Sequence, residues 1–348
     1  MCFDEKIKKK YEEYWNMENH NRPLVSIKGT DAFEMPQYGH KNLQERWFDT
    51  EYVIDKVNLT LDHTYFGCEA YPIFSPDLGP DQFAAFYGAD LVFGETTSWA
   101  KNPWTDAEVE EIPEFSLNRD GIYYKKLKEL MKALLENGRG RYFTGIPDLH
   151  PGPDCLVAMR GPEQLCFDTI ENPEFIIDRT IKLFDGFRLV YEDFYNLAKD
   201  FQTGSSNWME IWHPGKWYVT SCDFSCMISQ NMYEELVIPE LMMEIEYLDA
   251  SVYHLDGPDA LKHLDRILQI KKLKGVQWVY GAGAPSASHW LHIIKKIQDA
   301  GKLVHIDVEP GELEYMLQNI KPEGVLLRVN AASKKEAKEL EELVHKYD

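Results

Sequence analysis

The sequence has no run near the ~18 apolar residues that a membrane-spanning helix needs, so no bilayer span is expected. Its first twenty residues, MCFDEKIKKKYEEYWNMENH, are charged throughout and lack the apolar stretch of a secretory leader. They read as an N-terminal helical extension over 1–20. Positive charge is scarce: 37 Lys and Arg against 58 Asp and Glu give a net charge of −21. That balance lacks the basic footprint that displaces counterions from phosphates, which excludes a general nucleic-acid binder. It also disfavours docking on an anionic membrane surface. Six cysteines scattered over 348 residues read as reduced thiols of a cytoplasmic protein and not as a disulfide framework. No internal repeat, low-complexity tract or linker interrupts the chain, so residues 1–348 are expected to form one domain.

Aromatic residues are plentiful instead: 9 Trp, 19 Tyr and 17 Phe make up 13% of the chain. They can fill a large core, and they can also wall a pocket for a ring-shaped small molecule. From Tyr218 onward the pattern is regular. Short apolar runs at Tyr218–Cys222, Ser251–Leu255, Gly275–Tyr280, Leu303–Asp307 and Gly324–Val329 read as strands. Helical patterns follow them at Ser229–Leu248, Pro258–Leu268, Ser286–Ala300, Glu312–Ile320 and Ser333–Lys346. Runs this short and hydrophobic suit strands buried on both faces, and strict alternation with helices implies a parallel sheet, closed or doubly wound. The front half supplies three more strands, Leu24–Ile27, Tyr71–Phe74 and Arg141–Ile146, and helical patterns at Gly121–Asn137 and Pro173–Ala198. Five and three give the eight strands of a (β/α)8 TIM-type barrel, with long insertions over 30–70 and 76–140.

Barrel chemistry sits at the C-terminal ends of strands. Lys28 follows the first run, and Asp77 the second. Asp148, His150 and Asp154 follow the third, in GIPDLHPGPD, and Cys222, Asp223 and Cys226 the fourth. His254 and Asp256 sit two apart in YHLDGP, so both can face one centre, as alternate strand residues do. With a third ligand from a neighbouring strand they could hold a divalent metal and leave a position open. Glu309, Asp307 or a cysteine from Cys222 and Cys226 could supply it. The plainer alternative is that Asp256 caps the helix opening at Pro258. Trp278 and Tyr280, candidates with Asp77 for binding the substrate, precede a glycine-rich turn, GAGA at 281–284, that is a weak phosphate signal or need only permit a tight bend. Lys28 and Arg328 are the strand-end cations, suited to a substrate carboxylate or phosphate, while Asp223, His150 and Asp148 are candidates for proton transfer or substrate orientation.

The segment CDFSCMISQNMYEELVIPEL (222–241) resembles the M-I-S-P-x-x-Y/F-x-x-F-x-x-P block of the uroporphyrinogen decarboxylase superfamily. GPEQLCFDTIENPEFI (161–176) resembles its G-x-E-x-L…D-x-x-x-x-P-E-F block. HLDGPDALKHLDRIL (254–268) and GVQWVYGAG resemble its later strand–helix units, so the matches cover roughly the last half of the chain. The resemblance implies a single (β/α)8 barrel with its site at the strand C-termini. The decarboxylases proper carry an R-Q-A-G-R segment that grips tetrapyrrole carboxylates. The stretch here is Asn21–Lys28, NRPLVSIK, without that motif. The corrinoid-associated methyltransferases are closer in layout. For them the resemblance implies a zinc ion and a corrinoid carried on a partner protein. Their usual ligands are His-x-Cys and a later Cys. This chain has His254-x-Asp256 and no cysteine in 304–310, so thiol activation is disfavoured and an oxygen-bearing, methoxylated substrate is expected. The expectation is therefore methyl transfer between a small molecule and a corrinoid protein, with His254, Asp256 and Glu309 as zinc ligands. The alternatives are a metal-independent carboxy-lyase using Lys28 and Arg328, or a ligand-binding barrel without chemistry. A homodimer is compatible with the sequence.

Overall fold

The computed structural model describes residues 5–348, so residues 1–4 of the expected N-terminal extension and Cys2 lie outside the described residues. The strands are β1 (Leu24–Thr30), β2 (Thr64–Cys68), β3 (Ile73–Phe74), β4 (Asp90–Phe93), β5 (Ser98–Lys101), β6 (Phe143–Thr144), β7 (Trp217–Ser221), β8 (Ala250–Asp256), β9 (Gly275–Val279), β10 (Leu303–Asp307) and β11 (Val325–Ala331). Among the described residues, seven form one sheet in the order β2-β1-β11-β10-β9-β8-β7. Its neighbours run parallel, apart from the antiparallel pair β1–β2. β3 and β6 form a separate parallel pair, and β4 and β5 an antiparallel one. The protein is thus a mixed α/β chain whose large sheet is built mainly from its second half. Each of the eight expected strands overlaps an observed one. β2, β4 and β5 fall inside stretches expected to be connections; they are short edge or hairpin pieces.

Register explains how the sheet divides its residues. Every second side chain falls on the same face. On one face β1 sets Leu24, Ser26 and Lys28, β8 sets Ala250, Val252, His254 and Asp256, and β11 sets Leu326, Arg328 and Asn330. Leu24, Trp217, Ala250, Val252, Leu303 and Leu326 join one apolar cluster near the strand N-termini. Helix Glu5–Trp15 supplies Tyr11, Tyr14 and Trp15 to that same cluster. The Trp15 indole donates to the Trp212 carbonyl at 2.7 Å, and the Tyr11 hydroxyl to the carbonyls of Glu69 and Glu210 at 3.2 and 3.3 Å. The other face carries Val25, Ile27, Tyr253, Trp278 and Val329 into the larger core under the helices.

Two local differences have plain causes. The run Ser229–Leu248 is two helices, Gln230–Leu236 and Ile238–Tyr247, because Pro239 cannot donate a backbone hydrogen bond and so suits the first turn of a new helix. Pro258 opens a 3-10 segment to His263 before the α-helix Leu264–Leu268. The final helix starts as expected at Ser333, whose hydroxyl accepts from the Glu336 N–H at 3.2 Å. The Glu336 carboxylate reaches the Ala332 N–H at 2.6 Å, one residue before the capping residue.

Arg160 and Asp168 fix the helical cover. Both side chains are fully buried, and they pair through Nε–Oδ2 at 2.8 Å and Nη2–Oδ1 at 3.0 Å. Arg160 Nη1 also donates to the carbonyls of Trp104 and Ala107. One guanidinium therefore ties helix Gly152–Arg160, helix Pro162–Glu171 and the 104–107 loop together. Removing one partner strands a buried charge, which typically costs about 3–5 kcal/mol. Asp168→Ala is expected to lower unfolding free energy by that much in urea titration, and Asp168→Glu by less.

Candidate active site at the strand ends

Where the sheet face turns polar, Asp223, His254 and Asp256 place one ligand atom each within 4.8 Å of one another. Among the described residues this is the group able to hold a metal ion. His254 and Asp256 stand at the end of β8, and Asp223 opens the 3-10 turn Asp223–Met227 after β7. His254 Nδ1 meets Gln277 Oε1 at 2.6 Å across the β8–β9 register. With Nδ1–H donated there, the Nε2 lone pair faces Asp223 Oδ1, 3.8 Å away. That is too long for a hydrogen bond but suits two donors converging on one cation at ~2.1 Å each. Trp208 sets its ring edge-on against His254, centroids 5.3 Å apart. Asp256 does not cap the following segment, for the turn beginning at Gly257 has no side-chain cap.

Asp154 holds Asp223 in place. Its two carboxylate oxygens accept from the Asp223 and Phe224 N–H groups at 2.9 and 3.0 Å. His150 donates to Asp148 at 3.0 Å, and its other nitrogen lies 3.5 Å from Ser221 Oγ. Burial opposes charge on the His150 ring. The nearby charges of Asp148, Asp154 and Asp223, with the Asp148 hydrogen bond, outweigh it and raise the pKa to about 10. His150 is therefore a cation at neutral pH, able to donate a proton and unable to act as a base. A cavity of about 280 Å³ opens between His150, Asp154, Asp223, Phe224 and Met227.

The two cations are tied to acids. Lys28 Nζ lies 2.6 Å from Glu210 Oε1. Arg328 grips Asp307 through two bonds of 2.6 Å. Asp307 is thereby engaged and stays out of the metal-capable group. Glu309 is exposed at the start of the turn Pro310–Glu312 and also lies outside that group; Asp223 takes the third place. Trp278 is fully buried against Trp290 on the opposite face of the sheet, because it alternates with the inward Gln277. It lies in the core and not in the mouth. Tyr280 stays partly exposed within electrostatic reach of Glu309 and Asp307. Asp77 accepts from the Gly79 N–H at 2.7 Å and lines a second cavity, of about 240 Å³, with Trp47, Tyr52 and Phe74. Gln277 and Glu210 were not anticipated. Gln277 could have been found from its parity within β9, since a polar residue inside GVQWV must face some polar partner. Glu210 lies outside any strand and left no such signal.

No protein-family model and no curated protein sequence matches this chain. Among solved structures, a methyltransferase from Methanosarcina mazei superposes with a TM-score of 0.62 at 9% identity, covering 91% of this chain and 94% of that one. The two share a fold. Among the described residues, no helix is long and apolar enough to cross a membrane, and the five described cysteines form no disulfides.

Behind Asp154 lies a buried acidic pair. Glu240 and Glu244, one helical turn apart in Ile238–Tyr247, are each 2% exposed and hydrogen-bonded to one another. Burial raises both carboxyls, Glu240 to about 8, and Asp154 adds to the effect. The folded protein therefore keeps a proton that the unfolded chain releases, and stability falls as pH rises from about 4.5 toward 8. Glu244→Gln supplies an uncharged donor to Glu240. Its melting temperature is expected to depend less on pH across that window. At pH 8.5 it should exceed wild type by about 2–4 °C for each ~1 kcal/mol recovered, as read by calorimetry.

Proposed function

We propose that this chain is a methyltransferase of the uroporphyrinogen decarboxylase superfamily. It moves a methyl group between a small methoxylated molecule and a corrinoid carried by a partner protein. In this reading β1, β3 and β6 to β11 form one closed (β/α)8 barrel. The links that support closure are the Glu69 N–H to the Val25 carbonyl, the Ile146 N–H to the Ser206 carbonyl and the Trp217 N–H to Ser205 Oγ. The observation that carries the functional reading is the group Asp223, His254 and Asp256, with His254 oriented by a buried glutamine, on a fold shared with a methyltransferase.

The donor set fits a divalent metal such as zinc. Two carboxylates and one imidazole are harder ligands than the thiolates that would select for thiol substrates. Such an ion, when bound, would polarise an ether oxygen as a Lewis acid. The chain's own residues do the rest. Gln277 fixes the tautomer and ring angle of His254, as an outer hydrogen bond does for a metal ligand. Asp154 holds the Asp223 turn. His150, kept protonated, can give a proton to the oxygen that loses its methyl group. A metal-independent lyase would need Lys28 and Arg328 free for a carboxylate, and each is paired with an acid.

The test is the zinc content of protein purified without chelators. Wild type is expected to hold about one equivalent, Asp223→Ala and His254→Ala none, and Gln277→Leu to bind about 10–100-fold more weakly. Zinc-loaded wild type should transfer methyl from a methoxyphenol to reduced cobalamin, read by absorbance. Metal-free wild type, or retention of zinc in His254→Ala, overturns this reading.

A further inference from the structure

Lys28 and Arg328 look, from the sequence, like a grip for an anion. In the structure their charges are already answered, by Glu210 and Asp307. The two pairs sit on neighbouring strands, Lys28 on β1 and Arg328 on β11, two registers apart. Four charges of alternating sign sum to zero at the rim of the site.

Glu210 is held there deliberately. Its backbone is left-handed, with φ of 62°, a conformation that a side-chain-bearing residue adopts only when its surroundings impose it. The surroundings are visible. Its N–H donates to the Asn207 carbonyl at 2.9 Å, and its own carbonyl accepts from Tyr11. The same loop places Trp208 on His254. One short segment thus joins the metal-capable group to the cation pairs. Only one oxygen of Glu210 is used. Oε1 meets Lys28, while Oε2 is buried and has no hydrogen-bond partner among the described residues. The amide nitrogen of Asn207, a fully buried residue in the same loop, is likewise without a partner, as are both ring nitrogens of fully buried His305. His305 lies in electrostatic reach of Arg328, Asp307 and His254. Orphaned polar groups this deep are uncommon in folded proteins.

We propose that Glu210 sets the substrate class of this site: it cancels the charge of Lys28, so the strand ends take a neutral small molecule and disfavour carboxylates. This rests on the strand ends being the substrate mouth, the reading made above, but not on the metal or on methyl transfer. Phenol and benzoate are the probes, with one ring in common and a donor in one replaced by a carboxylate in the other. Dissociation constants come from ligand-observed NMR titration. Wild type is expected to prefer phenol. Glu210→Gln keeps the size of the side chain and releases the Lys28 charge. A hydrogen bond to a charged group contributes about 1.5–3 kcal/mol, so benzoate, meeting the freed Lys28, should tighten by about 10-fold or more while phenol changes little. Lys28→Met leaves the Glu210 carboxylate unopposed. It should bind benzoate still more weakly than wild type, and it decides the matter if Glu210→Gln fails to fold. An unchanged preference in Glu210→Gln, tighter benzoate binding by Lys28→Met, or no binding of either probe to wild type overturns the proposal. Inverted preference in a protein that proves metal-free keeps this proposal and removes only the zinc chemistry.

Discussion

A single face of the seven-stranded sheet has to change character along its length. At the strand N-termini it is apolar, with Leu24, Trp217, Val252, Leu303 and Leu326 packed against Tyr11, Tyr14 and Trp15. At the C-termini it is polar, with Lys28, His254, Gln277, Asp307 and Arg328. Side-chain alternation forces the two ends onto one face. The apolar end holds the strands together and is closed by the first helix, so the polar end need not contribute to the core. That division lets charged and strained groups persist in one place. The larger core on the other face, with Arg160 and Asp168 clamping its helices, makes the same division possible from outside.

The electrostatics follow one rule. In a chain of net charge −21, the cations near the site are matched one to one by acids. Lys28 has Glu210, Arg328 has Asp307, and His150 has Asp148. The exceptions are acids that lack a cation. Asp223 and Asp256 converge on His254, and Glu240 and Glu244 lie together in the interior, where burial favours their protonated forms. The first exception has the form of a cation site, because two carboxylates and an imidazole lone pair pointing inward repel one another unless something positive lies between them. The second is settled by protonation, since burial makes two neighbouring charges too unfavourable.

Legibility differed by element. The later strands could be read because each is a short apolar run followed by a helix with its own start signal, as at Ser333. The pair His254 and Asp256 could be read because two residues apart on a strand means one face. Its third partner could not. Glu309, like Asp223, follows a strand end, and nothing local separates them. Trp278 was misplaced for a related reason. Its position at a strand end suggests the mouth, but one step of alternation turns it into the core. β2, β4 and β5 have too few residues to show a period.

The sequence by itself determined the alternating strand–helix order, the parity that puts His254 with Asp256 and the net excess of acidic residues. These are local properties: period, propensity and composition act within a dozen residues. Only the tertiary structure decided that Asp223 completes the group, that Gln277 orients it, and that Lys28 and Arg328 are already paired. Asp223 and His254 are thirty-one positions apart, and Lys28 and Glu210 far more. Such pairs meet through the order of strands in the sheet and the path of one loop, and neither is encoded in any single window of the chain.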